Sequence, residues 1–214
     1  MRGRGVKRLP IISSLIVALA VGAMIYLGFW QLDRLDQKEA LLETYAANFD
    51  KPPMAFPQLG PVADEAMFRK SSINCLRITD WQDSSGKASN GQSGFRYIAN
   101  CVTSAEGPGV LVNMGVSNRP NLEIDWQGGV LTGWITEAPG ESSLLDRLMG
   151  KDTAPGPMLV ADKPMASLLA PASPSIEDIP NNHLAYAVQW FLFAGIALII
   201  FLIALRAKNS SGTK

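Results

Sequence analysis

Residues 9–32 read LPIISSLIVALAVGAMIYLGFWQL and contain no charged side chain. At about 1.5 Å of rise per residue, a helix of this length reaches about 36 Å, which exceeds a hydrocarbon core of about 30 Å. A second uncharged run, LAYAVQWFLFAGIALIIFLIAL, occupies residues 184–205. Because unpaired backbone groups are costly in lipid, each run is predicted to form a transmembrane helix.

The charges of the chain are unevenly distributed, although the chain of 214 residues is formally neutral, with 19 Lys and Arg against 19 Asp and Glu. The tails at 1–8 and 206–214 carry bases and no acid. The positive-inside rule therefore places both basic tails in the cytoplasm. With 47% hydrophobic and 18% charged residues, the composition excludes a disordered chain and a nucleic-acid binder.

A cleaved secretory signal is the alternative interpretation of the first run. The basic start and the sequence Ala18-Leu19-Ala20 are typical of such a signal. The apolar run continues to Trp30, however, which makes it longer than the usual apolar region of about 7–15 residues. We therefore predict a retained helix. Because too few residues precede it for a transit peptide, the expected setting is a bacterial inner membrane, with residues 33–183 exported to the periplasm.

The exported segment is predicted to be one mainly antiparallel β domain with an N-terminal helical extension. The extension covers residues 31–49 and ends at Lys51-Pro52-Pro53, because proline lacks an amide donor. Turn signals at 83–86, 89–91, 106–109 and 127–129 separate short β-rich runs, which indicates an antiparallel sheet or a partly closed barrel. These runs are 73–79, 95–102, 110–116, 130–136 and 158–161. Residues 170–180 contain three prolines and are predicted to form an extended strap back to the membrane.

Few residues of the chain suggest catalysis. His183 is the one histidine, and no sequence pattern joins a nucleophile to a base, so we predict that the protein is not an enzyme. Cys75 and Cys101 are too far apart in sequence for the close pairs typical of thiol redox enzymes and copper carriers. In an oxidising compartment they can form a disulfide, and two separate buried thiols are the equal alternative.

Two segments at the membrane edges are more specific. Residues 27–38 read LGFWQLDRLDQK, and residues 179–190 read IPNNHLAYAVQW. With the two-span layout, they resemble the surfeit-locus protein 1 family, whose members assist the assembly of cytochrome c oxidase. Residues 109–116, GVLVNMGV, resemble the central strand of that family, although Met114 stands where the family has arginine.

The resemblance implies that the protein handles haem a, with His183 as the ligand of the haem iron. A neutral imidazole is a good axial ligand for haem iron. Tyr186 and Trp190 lie near the same helical face as His183 and are predicted to cover the ring. Arg34 and Lys38 are predicted to reach the haem propionates. The implied partners are subunit I of the oxidase, the enzymes of haem a synthesis and membrane lipid.

Each of these residues also has a structural interpretation. An isolated histidine at the start of a transmembrane helix is often only interfacial, with Asn181 or Asn182 as the helix cap. Aromatic residues at this depth commonly form an interfacial belt, and Arg34 and Lys38 are equally suited to lipid headgroups. The small residues Ala187 and Ala194 favour either a flat surface for a macrocycle or close helix packing.

Two other function classes remain open at this point. One is a haem-free scaffold that stabilises oxidase assembly intermediates through protein contacts alone. The other is a membrane-tethered enzyme, for which the sequence offers no nucleophile–base pair.

Overall fold

The computed structural model describes residues 11–105, 107, 109–140, 155–165 and 167–211. The N-terminal basic tail, the last residues of the C-terminal tail and part of the turn predicted at 106–109 lie outside the described residues. The chain divides into two compact units. One comprises the residues up to Ala40 together with those from Pro180 onward, and the other comprises Leu41–Ile179.

Two long helices form the first unit. Helix α1 covers Ile11–Asn48, and its residues from Leu41 onward belong to the second unit; helix α2 covers His183–Ser211. In the most apolar window of each helix only 6% of the residues are buried, unlike the core helix of a soluble protein. The chain is therefore a two-span membrane protein, and the helical extension predicted beyond the first span is present.

The second unit contains a seven-stranded mixed sheet in the order β1-β2-β6-β7-β5-β4-β3. Most neighbours are antiparallel, as predicted, but β1 pairs with β2 and β5 pairs with β7 in parallel. The strands are β1 (Met54–Ala55), β2 (Lys70–Cys75), β3 (Arg77–Lys87), β4 (Ser93–Val102), β5 (Val110–Ser117), β6 (Gly129–Glu137) and β7 (Pro157–Ala161).

The sheet curls strongly, and the reason is visible in its connectivity. Strands β2 and β3 are separated in sequence by Leu76 alone, yet they occupy the second and the last positions of the sheet. In a flat sheet with about 4.8 Å between strands, these positions are roughly 24 Å apart. Because one residue cannot bridge that distance, the two ends of the sheet must meet. The Leu76 N–H donates to the carbonyl of Val102 at 2.8 Å at this junction.

Two local predictions were wrong, and long-range pairing explains both. The run predicted as one strand at 73–79 breaks at Leu76, because its first half pairs with β6 and its second half with β4. Residues 83–86, which were predicted to form a turn, are part of β3 and pair continuously with β4. Gly86 allows this pairing, since a Cβ there would lie 2.6 Å from the Cβ of Arg96. The turn at 89–91 is present, with Gly91 at φ +83°.

A disulfide joins β2 to β4 inside the curled sheet. Cys75 and Cys101 have their Cα atoms 5.3 Å apart, and neither is exposed. The alternative of two free thiols is therefore excluded. The bond lies in the main apolar core, which consists of Ile73, Cys75, Tyr97, Ala99, Cys101, Val110, Val112, Met114, Leu131, Leu159 and Leu168.

The end of α1 packs against the second unit, here called the β unit, through polar as well as aromatic contacts. Asn48 is fully buried, and its side-chain amide donates to the carbonyls of Asp64 and Met67 at 2.7 and 2.9 Å. The Tyr45 hydroxyl donates to the Asp64 carboxylate at 3.0 Å. The ring of Phe68 lies against the Tyr45 and Phe49 rings, with centroids 5.5 and 5.3 Å away. These contacts attach the helical extension to the β unit.

Loss of the disulfide is expected to destabilise the β unit strongly. Closing a loop over 26 positions lowers the entropy of the unfolded chain by an amount worth about 3 kcal/mol. Cys75→Ala, Cys101→Ala and the double variant should therefore lose nearly the same stability, since each removes one cross-link. Denaturant unfolding of the full chain in detergent measures this loss. Three variants as stable as the oxidised wild type would contradict the role of the bond.

Alkaline pH is expected to loosen the attachment of α1. Burial and the neighbouring Asp64 raise the pKa of Tyr45 from 10.0 to about 12. Because the folded state favours the protonated hydroxyl, this stabilisation is complete below pH 10 and is lost as the pH rises towards 12. Tyr45→Phe should cost about 1 kcal/mol near neutrality. The difference in unfolding free energy between wild type and variant, measured from pH 8 to 12, should shrink above pH 10; a constant difference would refute the assignment.

Candidate functional site

A direct hydrogen bond joins the two membrane-edge motifs. His183 begins α2, and Gln31 lies in α1 within the motif at 27–38. The Nδ1 atom of His183 and the Oε1 atom of Gln31 are 2.7 Å apart, although the residues are separated by 152 positions. Helices α1 and α2 therefore lie side by side near His183.

The contact also determines which nitrogen of the imidazole is available. An amide oxygen can only accept, so in this orientation of the Gln31 amide the Nδ1–H tautomer of His183 donates to it. The proton of a neutral imidazole is then held on Nδ1, and Nε2 retains its lone pair. Among the described residues, no side chain or backbone group forms a hydrogen bond with Nε2. This is the usual arrangement of a metal-binding histidine, in which the second nitrogen is fixed by a hydrogen bond.

Close packing of the two helices brings Gln31 and His183 together. Gly28 lies one turn before Gln31, and a Cβ at Gly28 would be only 2.5 Å from the ring of Phe191. The Phe191 ring also meets the Phe29 ring edge to face, with centroids 5.4 Å apart. The helices therefore approach at a point where α1 has no side chain, which is the common use of glycine between membrane helices.

The two alanines of α2 are part of the packed face. Ala187 and Ala194 are 1% and 5% exposed, and they lie on the same side of α2 as His183 and Phe191, both of which contact α1. Of the two interpretations of these residues, the structure favours close helix packing. The flat surface that the sequence suggested at the alanines is thus covered.

Tyr186 and Trp190, the aromatic residues predicted to cover the ring, are less buried than the two alanines. Tyr186 is 52% exposed, and its backbone N–H donates to the carbonyl of Asn182, which caps the helix. Trp190 is half-buried and contacts Phe193 edge to face, with centroids 6.3 Å apart. Both side chains therefore keep surface that the described residues do not cover.

The predicted cationic residues do not contact the histidine. The Arg34 guanidinium lies over the Trp30 ring at 5.5 Å and donates to the side chain of Gln37 at 2.7 Å. Gln37 in turn donates to Asp33 at 2.8 Å, so Arg34 belongs to a polar network on α1 itself. Lys38 is half-buried on the same helix.

Gln31 and Gly28 are the residues of this site that sequence reasoning missed. Both lie in the motif at 27–38, but no role was predicted for either residue. The available signal was the placement of an uncharged amide at the end of an apolar run, where a side-chain hydrogen-bonding group needs a partner. Its partner is distant in sequence, so the pairing itself was not accessible from spacing.

Comparison with known proteins agrees with these motifs. The family model described as the SURF1 family matches residues 18–195, which include both motifs and the β unit. The SURF1-like protein of Rickettsia felis (strain ATCC VR-1525 / URRWXCal2) is 25% identical over 223 aligned residues. That alignment covers 89% of this chain and 96% of the relative. The chain therefore belongs to the SURF1 family, the surfeit-locus protein 1 family that its two membrane-edge motifs resemble.

Proposed function

We propose that this protein is a non-catalytic assembly factor that holds haem a through His183 while the oxidase is built. Membership of the SURF1 family supports a role in cytochrome c oxidase assembly. The observation that carries the haem proposal is the 2.7 Å contact between His183 and Gln31, which leaves the Nε2 lone pair without a hydrogen-bond partner among the described residues. Neutral imidazole nitrogen is a suitable axial ligand for haem iron.

The residues around His183 have the chemistry that an apolar macrocycle requires. Tyr186 and Trp190 provide aromatic surface beside the histidine, and the packed alanines keep α1 in place behind it. Gln31 has a positioning role, because it orients the imidazole without touching the ligand. Arg34 and Lys38 are cations at the same membrane edge. In this proposal they bind the propionates of the haem.

The proposed setting is a bacterial inner membrane, with both termini in the cytoplasm and the β unit in the periplasm. The basic tails support this orientation through the positive-inside rule. The disulfide between Cys75 and Cys101 supports an oxidising compartment for the β unit. The proposed partners are oxidase subunit I and the enzymes that make haem a.

The first test compares haem content among variants purified after co-expression with the haem a synthesis enzymes. His183→Ala should abolish the bound haem and its absorption spectrum. Gln31→Leu removes the acceptor and should weaken haem binding by about tenfold or more, which is typical for a partner of a metal-binding histidine. Gln31→Glu keeps an acceptor and should retain most of the pigment.

Gln189→Leu is the matched control for the same experiment, since it removes an exposed amide from α2 and leaves the His183–Gln31 contact intact. It should bind haem as wild type does. Wild-type protein without pigment, or equal pigment in wild type and His183→Ala, would refute the haem proposal. Oxidase assembly that survives in His183→Ala would then favour the haem-free scaffold.

A second test addresses the packing of the helices. Gly28→Leu should push the Phe191 ring away and separate Gln31 from His183, so haem content should fall below that of wild type. Gly22→Leu is the control, because nothing lies within 4 Å of a Cβ at that position on the same helix. Equal pigment in both variants would show that the helix contact does not position the histidine.

A further inference from the structure

The last strand of the sheet has an open side over part of its length. Among the described residues, β3 ends the strand order and pairs with β4 alone. Near its end the open side is covered by the strap, since the Lys87 carbonyl accepts from the Ala172 N–H and the Ser89 N–H donates to the Ala170 carbonyl, both at 2.9 Å. Before that point, no described strand lies beside it.

The hairpin geometry identifies which backbone groups of β3 point outward. The Ala88 N–H donates across the hairpin towards β4 at 2.8 Å, and the register between β3 and β4 is unbroken from residue 80 to residue 87. Backbone groups of an antiparallel strand alternate between its two sides. Trp81, Asp83 and Ser85 therefore direct their N–H and C=O groups away from β4, and none has a backbone partner there among the described residues.

A groove runs along this open side. The extended segment 121–127 faces β3, and two cavities of about 390 and 340 Å³ lie between them. Trp81 and Ile124 line both cavities, so the cavities form one continuous depression, here called the edge groove. Leu122, Ile124 and Trp126 pack against the core and give it an apolar floor.

The rim of the edge groove is acidic on both sides. Asp80 and Asp83 lie on β3, and Glu123 and Asp125 lie on the facing segment; all four are exposed. Arg77 is the only basic residue among the described residues that line the two cavities. Such a rim attracts positive charge and repels a second copy of the same acidic edge.

The geometry points to a binding site for an extended, positively charged segment of a partner protein, which adds to β3 as an eighth strand. The outward groups of Trp81, Asp83 and Ser85 provide the hydrogen bonds of the new pairing, as in other cases of strand addition. The apolar floor accepts alternate side chains, and the acidic rim selects Lys or Arg at the others. This inference does not rest on haem binding at His183, and the two fail independently.

The test measures binding of labelled decapeptides to the full chain in a non-ionic detergent by fluorescence anisotropy. The probe is an alternating Lys-Val peptide. One control peptide alternates Glu and Val, and a second is the Lys-Val peptide with every backbone amide N-methylated, which keeps the charge and the side chains but cannot donate ladder hydrogen bonds. The Lys-Val peptide should bind at least about tenfold more tightly than either control.

Two pairs of variants locate the site. Asp83→Lys with Glu123→Lys should weaken Lys-Val binding about tenfold, whereas Asp50→Lys with Glu65→Lys makes the same charge change at exposed positions outside the groove and should have no effect. Ser85→Pro removes one outward N–H while sparing the bonds to β4, and should weaken binding; Ser85→Ala should not. Slower amide exchange at Trp81, Asp83 and Ser85 is expected on binding.

The inference is overturned by any of three results. They are equal affinity for the Lys-Val and Glu-Val peptides, equal affinity of wild type and the Asp83→Lys and Glu123→Lys double variant, or unchanged binding in Ser85→Pro. Self-association of the chain through β3 in the absence of peptide would likewise assign the groove to a second copy and refute the proposed partner.

Discussion

Gln31 and His183 are two polar side chains at the edge of otherwise apolar helices, and each is the hydrogen-bond partner of the other. A hydrogen-bonding group without a partner is costly near hydrocarbon, where water does not replace the missing bond. The 2.7 Å contact removes that cost for both residues and requires α1 and α2 to lie close together. Gly28 makes the approach possible, because a larger residue would collide with Phe191. Helix pairing and imidazole orientation thus share one cause.

The β unit depends on a comparable constraint, in this case the short connection at Leu76. One residue joins strands at the second and last positions of the sheet, so the sheet has to curl. The disulfide between Cys75 and Cys101 stabilises the junction from inside. In the part of the chain that the structure describes, no strand pairs with the outer side of β3 despite the curling, and the edge groove lies along that side. The same connectivity therefore accounts for the closed core and for the open edge.

Local sequence signals predicted the elements whose cause is local. Four predicted strands agree with β4, β5, β6 and β7 to within two residues at each end, and the helical extension ends where expected. The errors occur where a distant partner decides the conformation. The sequence at 83–86 has turn composition, yet eight consecutive positions of pairing with β4, from residue 80 to residue 87, are more favourable than a turn. The two-residue strand β1 has too short a pattern to be recognised.

The sequence by itself determined that two apolar helices flank a mainly β unit, because length, charge and side-chain periodicity are properties of adjacent residues. It also made His183 a candidate ligand, since a single histidine in a family motif is visible without coordinates. Only the tertiary structure decided that Gln31 holds His183, that the alanines of α2 are packed, and that Cys75 bonds to Cys101. Each of these facts joins side chains or helices that are distant in the chain, and their proximity depends on how whole helices and strands pack.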